Sequence, residues 1–364
     1  SLPKGKVMLI SNGIKIVGCL FMLLGLHPLL AYAIVGFGAA SYSPAKYGIL
    51  TELLPASQLV KANGWIEGLT VASIILGVLI GGQLVGPLMA RAVTGVDIPW
   101  IETGIDTPPE AALCVLMGVY LLAAGFNKRI PHTGVEMRPM PARVLSLLPD
   151  FWACNMRLWR DRLGQISLAS TTLIWGAAGN LKTVVITWAA VALGYTVTQA
   201  ATLQGVVALG LAAGAVAASL KMKLTDGPRV IPMGVVMGVL VILLVFVGNV
   251  WVAVPFLIGL GLVGGFMVVP MNALLQHRGH NLMGAGRSIA VQNFNENLSI
   301  LLLGIAYSAA IGAGLSDYGA IVAFGLVVSG IMWWIGRWHA RNLREHQAEV
   351  EHLMDIARND HLHG

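Results

Sequence analysis

The sequence predicts an all-α integral membrane protein, a helical bundle built as two related halves, and three observations predict it. Of 364 residues, 56% are hydrophobic and only 11% are charged, against about 25% charged in soluble domains, and the mean hydropathy is +0.76. Ten apolar segments, at roughly 7–25, 28–50, 64–90, 109–127, 165–193, 197–220, 230–248, 251–275, 287–314 and 317–336, are each long enough to cross a core of about 30 Å as a helix. The alternating apolar and polar runs of barrel strands are missing. Finally, two stretches about 226 to 229 residues apart read as copies. Gly36-Phe37, Pro44-Ala45-Lys46 and Asn63-Gly64-Trp65-Ile66-Glu67 are answered by Gly265-Phe266, Pro270-Met271-Asn272 and Gln292-Asn293-Phe294-Asn295-Glu296. A parallel repeat of this length is the mark of a transporter made of two halves.

The halves are expected at 1–127 and 165–336, with a basic linker at 128–164 and a tail at 337–364. In the second half two apolar segments precede the basic loop at 221–229, whereas the chain opens inside the matching loop, at Lys4-Gly5-Lys6. Two further spans, on the order of 60–75 residues, are therefore expected ahead of Ser1, so that ten of twelve helices are present. Placing the first loop on the cytoplasmic side puts the loop bases from Lys4 to Arg358 there and leaves Arg91 alone opposite, which fixes the orientation and puts the C-terminus in the cytoplasm. The net charge of +6 follows from that asymmetry and does not imply nucleic acid.

Taken in order, span 7–25 carries Lys15 near its cytoplasmic end, where its stem can snorkel to water. Span 28–50 ends in Ser41-Tyr42-Ser43-Pro44-Ala45-Lys46-Tyr47-Gly48, whose Pro and polar groups predict a broken helix end at a cavity. Span 64–90 holds Glu67 one turn in, at a depth suited to a gate or a structural pair with Lys61. An acidic stretch of Asp97, Glu102, Asp106 and Glu110 then faces outward before span 109–127. The linker combines seven bases with Leu145, Leu147, Leu148, Phe151, Trp152, Met156 and Trp159. It reads equally as a surface helix on anionic headgroups and as a linker docked on the bundle.

In span 165–193, Lys182 lies past the middle, beside Asn180. A charge inside a span costs at least about 2.5–3.5 kcal/mol, so it needs a reason. A cavity cation for phosphate or carboxylate is favoured over a structural ion pair. In span 287–314, Glu296 has Asn293 at i−3, Asn297 at i+1 and Gln292 at i−4, a polar patch in an apolar helix. It suits a gate, a proton carrier or a ligand for a headgroup amine, against a buried network that only fixes packing. Small residues four apart recur at Gly77/Gly81, Gly210/Gly214, Gly234/Gly238 and Gly261/Gly265. The pairs on spans 64–90 and 197–220 could mark a sliding seam between halves. The tail, with His339, His346, His352, His361 and His363, reads as an exposed helix rather than a metal site. Cys19, Cys114 and Cys154 form no pairing pattern, and CxxC, HExxH and GxxxxGK[ST] are absent, so neither metal nor nucleotide cofactor is expected.

At Ser43-Pro-Ala-Lys-Tyr-Gly-Ile-Leu and Leu59-Val-Lys-Ala-Asn-Gly the chain resembles the bacterial lysophospholipid transporter family of the major facilitator superfamily. Val269-Pro-Met-Asn-Ala-Leu-Leu-Gln, Gly284-Ala-Gly and Ile289-Ala-Val-Gln-Asn-Phe-Asn-Glu-Asn agree, as does the opening Leu2-Pro-Lys-Gly-Lys. The resemblance implies a twelve-helix fold and inward movement of lysophosphatidylethanolamine and lysophosphatidylglycerol across the bacterial inner membrane. It implies re-acylation by an acyltransferase–acyl carrier protein synthetase, a monomer among membrane lipids, and charged residues at Lys46, Lys182 and Glu296. Substrate binding or gating is accordingly assigned to Lys46, Tyr47, Glu67, Asn180, Lys182, Asn293, Glu296 and Asn297. A proton-coupled exporter of drugs or small solutes, with Glu296 titrating, is the second reading. An acyltransferase would need an HxxxxD pair, which does not occur; His27 alone lies near a span start.

Overall fold

The computed structural model describes residues 2–84, 107–131, 133–134 and 146–358. Arg91, Asp97, Glu102, Asp106, Arg138, Arg143, Leu145, His361 and His363 lie outside them. Among the described residues eight helices are long and apolar enough to cross a membrane. The other two expected spans lie on α2 and, as far as Leu84, on α4 below, with polar residues concentrated near one end.

The chain forms two compact units. The first contains residues 1–53 and 73–144. Its helices are α1 (Lys4–Leu23), α2 (Pro28–Gly48), the short α3 (Leu50–Leu53), the latter part of α4 (Ala56–Leu84) and α5 (Pro108–Asn127). His27 caps α2, its Nδ1 accepting from the Leu29 amide at 3.3 Å, and Pro28 opens the helix, where a missing N–H costs nothing. The Glu110 carboxylate accepts from the Thr107 amide at 2.8 Å and so fastens the start of α5. Helices α1 and α2 approach closely where Gly18 meets Ala31 and Val35, and where Gly38 meets Ser11 and Lys15. Met8, Ala45 and Ile49 form a small core there. Lys4 is paired with Glu52, which also accepts from Thr133 at 3.0 Å.

The expected break at Pro44 is not found: α2 runs through it to Gly48. Proline forfeits a single helical bond at that position, and it stands within a turn of the helix end, so the ladder survives. Ser41 Oγ donates to the Phe37 carbonyl at 2.8 Å in the same stretch.

The second unit contains residues 54–72 and 145–364. It holds the first part of α4, then α6 (Leu147–Arg160), α7 (Gly164–Leu193), α8 (Val197–Lys221), α9 (Ile231–Leu243), α10 (Val250–Met283), α11 (Ala285–Gly312), α12 (Asp317–Glu345) and α13 (Gln347–Arg358). A 3-10 turn at Leu224–Val230 leads into α9. The core runs along α7, α8, α9, α10 and α12 through Val184, Trp188, Leu203, Val241, Leu257, Leu260, Ile321 and Val328. Gly284, at φ 86°, makes the joint between α10 and α11, a conformation that a side chain would strain. α10, with 34 residues, is about 50 Å long and outruns the hydrocarbon core. Arg278 therefore belongs to a helix rather than to a loop, and so does Lys61 on α4.

The glycine pairs divide. Gly210 and Gly214 on α8 interlock with α10, where Gly261 and Gly265 meet the carbonyls of Val207 and Leu211. Gly234 and Gly238 admit Met332 and Ser329 of α12. Nothing lies within 4 Å of a Cβ built at Gly77 or Gly81. The expected sliding seam at Gly210/Gly214 is thus a close contact within one unit, where each glycine packs against a backbone carbonyl of the facing helix.

Helix α6 docks on the bundle, burying Cys154, Asn155 and Leu158 against Leu168, Leu275 and Val291. Phe151, Trp152 and Phe294 stack edge to face at 5.2–5.9 Å. Leu148, Trp152 and Met156 remain exposed on its other side. The tail forms a largely exposed helix that docks along one edge. Val350 and Ala357 are buried, Arg162 meets His346 at 2.9 Å and Glu349 at 3.7 Å, and Asn342 donates to the Arg162 carbonyl. An apolar edge seven residues long in repeat lets α13 dock.

Candidate functional site

The candidate residues fall in both units. In the first, Lys46 is half-buried on the last turn of α2, and its Nζ stands 4.5 Å from the centre of the Tyr47 ring. Lys15 finds partners within its own unit. Its Nζ lies over the rings of Tyr42, at 4.5 Å, and Tyr120, at 5.3 Å, and reaches Asn12 Oδ1 at 3.3 Å. Two aromatic faces and an amide oxygen satisfy the ammonium locally, which removes the need to reach water.

The second unit holds a buried polar network. Glu296 on α11 is 9% exposed, and Gln292, one turn before it, donates to Oε1 at 2.7 Å. The same Gln292 nitrogen donates to Asn272 Oδ1 on α10 at 3.1 Å. Gln292 Oε1 is buried with no hydrogen-bond partner among the described residues. On α4, Glu67 is 2% exposed. The repeat-related acids are therefore both buried in the second unit. One turn earlier on α4, Asn63 exchanges two amide bonds with Gln276 on α10, at 2.9 and 3.0 Å.

The remaining residues scatter. Asn297 is exposed and bonds back to the Asn293 carbonyl at 2.7 Å, so it does not share the Glu296 face. Adjacent helical residues point about 100° apart, which separates them. Asn293 is half-buried. Asn180 turns into the seam between α7 and α11, where Nδ2 donates to the carbonyls of Gly176, at 2.8 Å, and Ile300, at 2.9 Å. Lys182 is exposed, and its carbonyl accepts from Gln204 Nε2 on α8 at 3.0 Å. Asn180 and Lys182 are thus neighbours in sequence that serve different surroundings.

Several residues escaped the sequence reading. Arg278 forms a buried, two-pronged ion pair with Asp161, at 2.6 and 3.2 Å, and Asp161 also accepts from the Gly164 amide at 2.7 Å. Asn295 accepts from Trp159 at 3.3 Å and donates to Asn155 at 2.9 Å, tying α6 to α11 beside Glu296. Asn272 and Gln276 are uncharged and so raise no alarm in an apolar run. The available signal was the repeat: an amide followed four residues later by Glu, at Asn63/Glu67 and Gln292/Glu296.

A family model of the Major Facilitator Superfamily matches residues 2–304. The lysophospholipid transporter LplT of Yersinia enterocolitica serotype O:8 / biotype 1B is 39% identical over 316 residues, which cover 86% of this chain and 73% of the relative. The lysophospholipid transporter LplT of an Enterobacter species (strain 638) is 38% identical over 339 residues, covering 92% and 80%. Among solved structures, the human organic anion transporter MFSD10 superposes with a TM-score of 0.70 at 13% identity, covering 93% of this chain and 78% of that one. The superfamily transporter FucP in its outward conformation gives 0.66 at 14% identity, covering 93% and 83%. At such identities the structures speak for the fold alone.

Proposed function

Because the chain belongs to the Major Facilitator Superfamily and, within it, to the lysophospholipid transporters, we propose that it carries lysophospholipids, lysophosphatidylethanolamine and lysophosphatidylglycerol among them, towards the cytoplasmic leaflet of the bacterial inner membrane. The observation that carries the reading is the 39% identity to a lysophospholipid transporter over 86% of the chain. The two halves, 1–127 and 165–336, alternate between openings to either side. In the second unit the lipid's phosphate is held by Lys182, and in the first Lys46 is a second cation able to hold a phosphate. The lipid's amine, where it has one, goes to the buried Glu296 carboxylate, with the unpartnered Gln292 Oε1 as a second acceptor. Tyr47 sets the Lys46 ammonium. Asn293 and Asn297 edge the same helix. Glu67, buried in the same unit as Glu296, acts as a gate. The carrier works as a monomer, its C-terminus in the cytoplasm, and delivers to an acyltransferase–acyl carrier protein synthetase.

The test follows labelled lysophosphatidylethanolamine between leaflets of proteoliposomes. The wild type moves it above protein-free vesicles without an ion gradient. Glu296→Gln and Lys182→Ala each cut the rate at least tenfold, since a hydrogen bond to a charged group contributes about 1.5–3 kcal/mol. Wild-type rates in both variants would remove these residues from the site. Movement that appears with an imposed proton gradient alone would make the carrier a coupled one.

A further inference from the structure

In the first unit, where α1 begins and α5 stops, the chain leaves a cavity of about 200 Å³. A space of about 15 Å³ already admits a water, so this one has room for a group of several atoms. Its walls include Lys4, Gly5, Lys6, Asn127, Lys128 and Thr133. The amides of Lys4, Gly5 and Lys6 open a 20-residue helix whose first bond runs from Val7 to the Pro3 carbonyl, so these three have no intrahelical acceptor. Pro3 supplies no side-chain cap, and such a helix start carries about half a positive charge. A Cβ on Gly5 would stand 3.3 Å from Ile130 Cβ, so the bare backbone is what lets this start lie against the turn after α5. Lys4 is paired with Glu52, whereas Lys6 and Lys128 are exposed and make no ion pair among the described residues. The negative end of α5 is blunted, because the carbonyls of Ala124, Phe126 and Asn127 already accept from the amides of Lys128, Arg129 and Ile130. Asn127 itself is 8% exposed, and its Nδ2 has no hydrogen-bond partner among the described residues. A solvated helix end would leave no such donor over, since a buried donor without an acceptor is costly.

We propose that this cavity is an anion site that takes a phosphate group, presented by a lipid headgroup or as the free ion. The phosphate oxygens accept from the amides that open α1, as anions do at helix starts. Lys6 and Lys128 balance the charge from the rim, and Asn127 supplies a further donor from within. The site belongs wholly to the first unit, whereas Lys182 and Glu296 belong to the second. It is therefore a further site, and it does not depend on which lipid the carrier moves.

The test uses the whole chain in detergent, with Cys19, Cys114 and Cys154 replaced by Ala and Thr133→Cys as a reporter on the cavity wall. The rate at which a water-soluble maleimide labels that thiol is followed with inorganic phosphate, with dioctanoyl phosphatidylglycerol, and with dioctanoylglycerol, which has the tails but no phosphate. A phosphate-bearing probe is expected to slow labelling at least tenfold at saturation, and dioctanoylglycerol to leave it unchanged. Protection by phosphatidylglycerol at concentrations where inorganic phosphate does nothing assigns the group to a lipid headgroup. Protection by inorganic phosphate at the same or lower concentration assigns it to the free ion. Lys6→Gln with Lys128→Gln raises the concentration needed at least tenfold, the scale of lost hydrogen bonds to a charged group, and Lys6→Arg with Lys128→Arg keeps it. Asn127→Leu, which fills the same space without a donor, weakens protection as well, while Lys182→Ala has no effect on it. The proposal is overturned by equal protection from dioctanoylglycerol, by protection that survives the paired Gln variant or disappears in Lys182→Ala, or by no protection at all.

Discussion

Asn180 and Lys182 stand two positions apart on α7, and their surroundings predict opposite behaviour. Asn180 Nδ2 joins two carbonyls across the seam with α11, and its Oδ1 lies 2.8 Å from where a Cβ on Gly304 would stand. Asn180→Ala removes those bonds and costs about 1 kcal/mol, the scale of interhelical hydrogen bonds in membranes. The detergent-solubilised protein melts earlier, while lysolipid affinity per folded molecule is unchanged. Lys182→Ala does the reverse: it melts like wild type and binds the phosphate poorly. A matching fall in melting temperature for Lys182→Ala would return that residue to packing. The Arg278–Asp161 pair is a sharper case. Arg278→Met strands a buried carboxylate and costs about 3–5 kcal/mol by thermal or denaturant unfolding. Adding Asp161→Leu recovers part of it, the remainder being the bond that Asp161 accepts from the Gly164 amide. Charge explains why Glu296 was legible in the sequence and these partners were not. A carboxylate in an apolar run demands a reason, whereas Asp161 and Arg278 sit near span ends, where loops are expected to hold charges.

The pairing of α8 with α10 is decided by four glycines. A Cβ on Gly265 would run into the Leu211 carbonyl, and one on Gly214 into that of Leu262. Gly265→Ala therefore forces the two helices apart and costs about 1–3 kcal/mol, as other overpacked contacts do. Gly259→Ala, six residues earlier on the same helix and with nothing within 4 Å of its Cβ, leaves the melting temperature unchanged or slightly higher. Equal destabilisation by both would mean that helix propensity, not the interlock, governs. The small-residue spacing was visible in the sequence, but its partner was not, since spacing marks a face and says nothing of what meets it. Helix ends were hidden for a related reason. Apolarity records where lipid touches the chain, while the backbone ladder stops where its bonds stop. α4 accordingly starts at Ala56 and α10 reaches Met283, each well past the apolar run. α2 likewise runs through Pro44, where the polar composition suggested a break.

At the scale of the molecule the repeat has physical content. Asn63 and Gln292 are equivalent in it, as are Glu67 and Glu296, and the second unit gathers all four with Gln276 into its interior. The sequence showed the equivalence because both copies keep an amide four residues ahead of an acid. It could not show that both copies are buried in one unit, because a repeat fixes topology without fixing which faces touch. In the proposed cycle α4 belongs to the half that moves, so the paired amides of Asn63 and Gln276 must part on every turnover. With Cys19, Cys114 and Cys154 replaced by Ala, cysteines at positions 63 and 276 bridged by a short, reducible bifunctional thiol reagent hold the two helices together. Bridging is expected to stop lysolipid movement in proteoliposomes, and reduction to restore it, while either cysteine alone stays active after the same treatment. If the bridged protein transports at the unbridged rate, residues 54–72 travel with 145–364 and the moving boundary lies within α4, after residue 72, where the chain passes between its compact units.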